Sequence, residues 1–234
     1  MKAGNKMFSE YGIYDRQYRG WNTDPETVQR WKKGMTGMPL VDSLIREMNA
    51  TGFMPNRGRM IVASYLTFDL KQDWRFGAYH FEENLIDHDV QSNFGGWSQC
   101  AGIAGRFFAF NCLVQSNKFD KEGKYIKLWC PELKEVPSAY IHAPWDMPKE
   151  LKKKLKIEIG EKPTDEALSF YPAPVVCAKY TGPEAQIKRA KEFKTVRAAY
   201  NAGVSPLGFP KVSKKKAKVS KETENESFDS EETL

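Results

Sequence analysis

Between Asn56 and Trp97 the chain reads NRGRMIVASYLTFDLKQDWRFGAYHFEENLIDHDVQSNFGGW. Arg57 and Arg59 head an apolar run, Asp87 and Asp89 flank His88, Asn93 follows a serine, and Gly-Gly precedes Trp97. A buried polar group costs free energy unless it is paired, so so many polar groups among so many aromatics point to a site rather than to a plain core. Carboxylates, a guanidinium and an amide are fixed charges and dipoles suited to gripping a polar ligand. Taken singly, each residue also has a plainer reading. Trp74 and Trp97 are then core aromatics, Arg59 and Asp87 an ion pair, and His88 a local hydrogen-bonding partner of its acidic neighbours. His80, His88 and His142 are too scattered for a metal centre.

The elements that must position this stretch are helical. Asp24-Pro25 is a helix start, with Asp24 as N-cap and proline at the first helical position, and the helix runs from Glu26 to Lys33 before Gly34. Thr36-Gly37-Met38-Pro39 turns the chain into a second helix. On it Leu40, Val41, Leu44, Ile45 and Met48 share one face, and Gly52 ends it. Asn56–Leu70 predicts a third helix, apolar on too many sides for a surface position, and Gly77–Leu85 a fourth. Asp24 and Asp42 are expected to be cap or surface acids. No alternating strand pattern interrupts this half, so an all-α fold is expected. Beyond Trp97 short helices and ordered loops follow, Pro172-Ala173-Pro174 crosses in extended form, and residues 183–201 predict one more charged helix. The final segment, six lysines and then mainly acids and serines from 211 to 234, is too polar to offset its ordering entropy and is expected to be disordered. The Lys214–Lys216 run suits a solvated face or a contact with nucleic acid.

Composition sets the outer bounds. The chain has 234 residues, 41% hydrophobic and 28% charged, as in a soluble globule with one substantial core. No apolar run approaches the roughly 18–20 residues of a membrane span. No signal or transit segment is evident at the N-terminus. Cys100, Cys112, Cys130 and Cys177 lack paired spacing and read as free thiols of an intracellular reducing compartment. The net charge of +6 permits a polyanionic partner.

Three blocks, WKKGMTGMPLVDSLIREMNATGFMPNRGRM through GGW, FNCLVQSNKFDKEGKYIKLWCPEL and VPSAYIHAPW, closely resemble the C-terminal, FAD-binding region of the DNA photolyase/cryptochrome family. The DASH branch is nearest, and the resemblance covers roughly residues 11–180. It implies a partial helical FAD-binding domain over 11–145, a loop-rich C-terminal extension over 146–205, and the tail over 206–234. FAD is the implied cofactor. Asp87 and Asp89 match the paired flavin-binding acids, Arg59 the arginine beside the ring, Asn56 and Arg57 positions lining cofactor and substrate, and Asn93 the residue facing flavin N5. Trp21, Trp74 and Trp97 match an electron-hopping chain, for which an oxidisable indole is suited. Met60 and Gln115 resemble positions near the opening for a DNA lesion. Gln99 stands where repair enzymes of the family often have tryptophan.

The resemblance leaves out the family's antenna domain, its FAD phosphate loop and the upstream residues that grip a pyrimidine dimer. The implied whole is a blue-light-activated flavoprotein transferring an electron to pyrimidine dimers in DNA, preferably single-stranded or with the lesion flipped out. This chain supplies one wall of the pocket, with a separate N-terminal half or larger assembly as a candidate partner, and is not expected to be a competent enzyme alone. The alternative is a flavin-free structural or interaction subunit derived from a photolyase.

Overall fold

A computed structural model describes residues 4–12, 21–104, 109–162, 168–176 and 191. The predicted helix over 183–201, apart from Lys191, and the tail over 206–234 lie outside them, as does Cys177. Eight α-helices follow one another among the described residues: α1 Pro25–Lys32, α2 Pro39–Thr51, α3 Asn56–Ser64, α4 Trp74–Asn84, α5 Val90–Cys100, α6 Cys112–Phe119, α7 Lys124–Trp129 and α8 Lys149–Leu155. Asp24 caps α1 as its sequence predicts, accepting from the backbone N–H groups of Glu26 and Thr27 at 3.3 Å each. Gly52, at φ +72°, ends α2 in the left-handed conformation that glycine adopts without penalty.

The helix predicted from Asn56 to Leu70 changes character on the way. After Ser64 it widens into a π-helical turn over Tyr65–Asp69, with the Leu70 N–H donating to the Tyr65 carbonyl at 3.0 Å. The fourth helix starts at Trp74, earlier than its apolar pattern suggests, because Asp73 caps it through the Arg75 N–H. The fold is mostly helical, as expected. Its one sheet among the described residues is a short parallel pair, β1 Ile157–Gly160 with β2 Ser169–Pro172. Beyond β2 the chain is bonded at both sides of Pro174. Arg30 donates to the Ala173 carbonyl at 2.7 Å, and the Val175 N–H to Thr36 at 3.0 Å.

Helix α2 stands at the centre. Residues 36–45 are all buried, so the first two turns of this helix are covered on every side rather than along one stripe, while residues 49–51 are exposed. One side joins the main core, which holds Trp31, Met38, Leu66, Trp74, Phe94 and Trp97. The other meets a smaller core built from Ile126, Leu133, Val136, Ile141, Ile157 and Tyr171. Asp42 lies between them, and here the expectation of a cap or surface acid is wrong. Its side chain is fully buried and accepts from the Thr36 N–H (2.8 Å), the Thr36 hydroxyl (2.6 Å), the Gly37 N–H (2.9 Å) and the Tyr171 hydroxyl (2.6 Å). Burial pushes its carboxyl pKa up, and the bonds from Thr36 and Tyr171 pull against that.

His80 carries a pH dependence. It sits at 7% exposure on α4, bonded to Asn49 and Asn84 at 3.1 Å each. Burial, with the nearby Lys32 ammonium, lowers its pKa from 6.5 to about 4. Between those values the unfolded chain binds a proton that the folded chain refuses. Stability is therefore expected to fall as pH drops from 6.5 towards 4, by about 2–3 kcal/mol in all. Urea melts across that range should show the loss, and His80→Gln should flatten it.

Candidate functional site

Two helix faces and one loop enclose a cavity of about 190 Å³. From α3 come Asn56, Arg59, Met60 and Ala63, which the 3.6-residue period places on one side. From α5 come Ser92, Asn93, Gly96, Trp97 and Cys100, again one helical face. The loop between α4 and α5 adds Asp87, His88 and Asp89, and the end of α4 adds the apolar Phe81 and Leu85.

Arg59, Asp87, Asp89 and Asn93 are each held by a specific bond. Arg59 donates through Nη2 to both Asp87 carboxylate oxygens, at 2.8 and 2.7 Å, while its Nε is fixed on the Met54 carbonyl at 2.8 Å. One guanidinium nitrogen bridges both carboxylate oxygens while Nε is anchored on the backbone, so the pair presents a set charge pattern to the cavity. Asp89 is the N-cap of α5 and accepts from the Ser92 N–H at 2.8 Å. Hydrogen bonding from Ser92 lowers its pKa, so it is ionised at neutral pH. Asn93 donates from Nδ2 to the Ala78 carbonyl at 2.9 Å, which ties α5 to α4 and fixes which amide atom remains available. Burial pushes the Cys100 thiol up to about 12, so it is neutral.

Asn93 Oδ1, His88 Nε2 and Trp97 Nε1 are sealed from solvent without a partner in the protein. An unmet buried polar atom costs about 1–3 kcal/mol, and three of them belong to residues lining the same cavity. Gly96 adds bare backbone, since a Cβ built there would meet nothing within 4 Å. These features fit a planar ligand with several donors and acceptors, and a flavin ring is such a ligand. The volume is below the ~300–1,000 Å³ of a typical ligand site, so this cavity takes part of a dinucleotide and not the whole.

Trp97 is the indole of the cavity wall. Its ring lies edge to face with Phe81 at 5.0 Å and with Trp31 at 5.9 Å. Trp74 is fully buried away from the cavity lining, donates from Nε1 to the Glu10 carbonyl at 3.1 Å, and meets Phe94 at 6.1 Å. Trp21 is half-buried against the main core.

The cavity thus gathers Asn56, Arg59, Met60, Asp87, Asp89, Asn93 and Trp97 from the sequence-predicted set. Arg57, Trp21, Trp74 and Gln115 do not line it. Arg57 lies instead over the rings of Phe110 and Phe119, at 5.6 and 5.8 Å. Gln115 sits half-buried on α6. Sequence reasoning passed over Ser92, Gly96 and Cys100, although the helical spacing from Asn93 reaches Gly96 and Cys100. It also passed over Trp31, which only the tertiary packing brings to Trp97.

A sequence profile for the FAD binding domain of DNA photolyase matches residues 5–191. A chloroplastic/mitochondrial cryptochrome DASH from Ostreococcus tauri is 45% identical over 163 residues, 69% of this chain and 30% of that protein. The deoxyribodipyrimidine photo-lyase of Vibrio cholerae is 51% identical over 148 residues, 62% of this chain and 31% of that protein. Among solved structures, a Synechocystis cryptochrome superposes with a TM-score of 0.69 at 40% identity, covering 81% of this chain and 37% of that one. The chain spans about a third of the length of the curated relatives it matches. FAD is the cofactor of the matched domain. Since the profile takes in most of its residues, the chain belongs to the photolyase/cryptochrome family, with the FAD-binding domain as the part it represents.

Proposed function

We propose that this chain forms one wall of the flavin pocket of a light-driven flavoprotein of the DASH/photolyase type, acting on pyrimidine dimers in DNA. The observation that carries the reading is the convergence of Arg59–Asp87, Asp89, Asn93 and Trp97 on one cavity whose polar atoms await partners. When bound, FAD supplies one-electron chemistry triggered by light. The chain's residues have separate tasks. Arg59 and Asp87 hold a fixed charge pair against the ring, and Asp89 sets the start of α5. Asn93, anchored to Ala78, offers its carbonyl oxygen to a ring donor. Trp97 is the nearest oxidisable side chain, with Trp74 and Trp21 as further steps towards the surface. Met60 and Gln115 belong on the DNA side, and Arg57 next to cofactor and substrate. A single-stranded or flipped-out lesion suits a pocket that cannot reach a base inside a stacked duplex.

The test is a titration of the purified chain with FAD, read by tryptophan quenching and by the visible flavin band near about 450 nm. Saturable binding is expected, weakened by about tenfold or more in Asp87→Ala or Arg59→Ala, since removing one partner strands the other's charge. Blue-light reduction of the bound flavin should be lost in Trp97→Phe. A folded chain that ignores FAD would sink the reading. That result would favour the flavin-free interaction subunit, for which one feature speaks. Phe53 (47% exposed) and Ile86 (81% exposed) stand beside the Gly52 turn, where the Ile86 N–H binds the Gly52 carbonyl, as an uncovered apolar pair fit for a partner segment such as a separate N-terminal half.

A further inference from the structure

Resting on the reading of the cavity as a flavin pocket, we propose that Trp31 is a second electron donor to Trp97. The relay then divides at Trp97, one branch leading towards Trp74 and the other into the main core. Trp31 stands on α1 behind Trp97, outside the cavity lining. The two indoles meet edge to face, with ring centroids 5.9 Å apart, so their π systems are in contact and an electron crosses without an intervening group. Trp74, by contrast, has as its ring partner Phe94, a side chain far harder to oxidise than an indole.

Trp97 gives one electron to the light-excited flavin, and Trp31 then gives one to the Trp97 cation radical. No bond forms or breaks in this step, and no proton moves. The surroundings of the two rings decide where the positive charge rests. Trp31 donates from Nε1 to the Val62 carbonyl at 3.3 Å, whereas Trp97 Nε1 has no partner in the protein. A hydrogen bond from an ionised donor is about twice as strong as a neutral one, so oxidation strengthens the bond at Trp31 and favours the charge there by about fivefold. A backbone carbonyl is too weak a base to take the indole proton, so the electron can return along the same path. The His80 ring, 5.7 Å from Trp31, is neutral at neutral pH because burial lowers its pKa to about 4. Lys32 is paired with Glu83 at 3.8 Å. Neither neighbour therefore opposes a positive charge on the indole. Trp31 is also fully buried, which keeps its radical from solvent reductants. The buried branch holds the charge one ring further from the flavin and so prolongs its separation.

The experiment is flash absorption of the FAD-loaded full chain, following the indole radical in the parent, Trp74→Phe, Trp31→Phe and the double variant. With Trp74 replaced, the buried branch carries the charge alone, and return to the flavin runs only through Trp97. The radical in Trp74→Phe is therefore expected to outlive that of the double variant by about fivefold. A double variant that decays no faster than Trp74→Phe would overturn the assignment of Trp31 and leave the flavin reading standing. Phenylalanine at position 31 also shortens a core side chain, so a second measurement uses the parent itself. After prolonged blue light in air, peptide mass spectrometry should find oxygenated indole at Trp31 as well as at Trp97, and none at Trp31 in Trp97→Phe. Oxygenation confined to Trp97 would overturn the branch, as would oxygenation of Trp31 that persists without Trp97. Absence of flavin binding, or of any indole radical, would remove both readings.

Discussion

Replacing Asp42 with alanine is expected to lower the unfolding free energy by about 3–5 kcal/mol, the cost of stranding partners in a dry site. The truncated side chain would leave the Thr36 N–H and hydroxyl, the Gly37 N–H and the Tyr171 hydroxyl without their acceptor. None of the four can turn to water, because Thr36, Asp42 and Tyr171 are each fully buried. In a chain of this size each kcal/mol shifts the melting temperature by about 2–4 °C, so a fall of roughly 6–20 °C follows. Asp42→Asn separates charge from hydrogen bonding. Its carbonyl oxygen still serves Thr36, and the Tyr171 hydroxyl can reverse to accept from the new amide. The Gly37 N–H, however, then faces another donor. About 2 kcal/mol is expected for that variant, one stranded buried donor. Thermal and urea melts would measure both. A loss below about 1 kcal/mol in Asp42→Ala would show that the two layers are held by apolar packing alone.

Gly77→Ala is the second large effect, and it reaches the cavity from outside it. A Cβ at Gly77 would overlap Cη2, Cζ3 and Cζ2 of Trp97. Phe81 and Trp31 pack against the indole, 3% of whose surface is exposed, so relief of the overlap pushes the ring towards the cavity it lines. Alanine would gain about 1 kcal/mol of helix propensity over glycine. The overlap outweighs that: an overpacking cost of about 3 kcal/mol, the upper end of the usual range, leaves a net loss of about 2 kcal/mol. Because the displaced ring is the cavity wall, FAD affinity should fall with stability. The double variant with Trp97→Phe distinguishes this cause from a general one. The shorter ring vacates the overlap, so stability should recover part of the way, giving a coupling energy of about 1–2 kcal/mol in a double-mutant cycle. Additive losses would mean that Gly77 matters for some reason other than Trp97.

Gly77 and Asp42 also mark how far the sequence could be read. The helices were legible because their signals are local: Asp24 before Pro25, Gly52 after Met48, and an apolar period through α2. The wall of the site was legible as well, since Asp87, Asp89, Asn93 and Trp97 lie in one short stretch that a single cap and one helical turn bring into line. What was not legible depends on long sequence separations. Asp42 looked like an ordinary surface acid because Tyr171, its partner 129 residues away, belongs to a strand that no local pattern announced. The π-helical turn after Ser64 was hidden for a related reason. Its apolar residues suit an α-helix equally well, and only the packing around Tyr65 and Leu66 selects the wider turn. Arg57, adjacent to the cavity residues in sequence, points by helical phase to the rings of Phe110 and Phe119 instead.

The enclosure of α2 has a consequence for how the molecule comes apart. A helix with one apolar face can lose its neighbour on the polar side and remain folded. The first two turns of α2 have no such side, because residues 36–45 are all buried, with the main core on one flank and Ser43 and Asp42 bonded to Cys130 and Tyr171 of the smaller core on the other. Loosening the β1–β2 layer strands the Asp42 partners and uncovers the flank of α2, which in turn weakens the packing beneath the cavity. The two cores are therefore expected to open together, as one cooperative unit. The flavin-facing wall inherits its rigidity from a layer on the far side of the helix behind it.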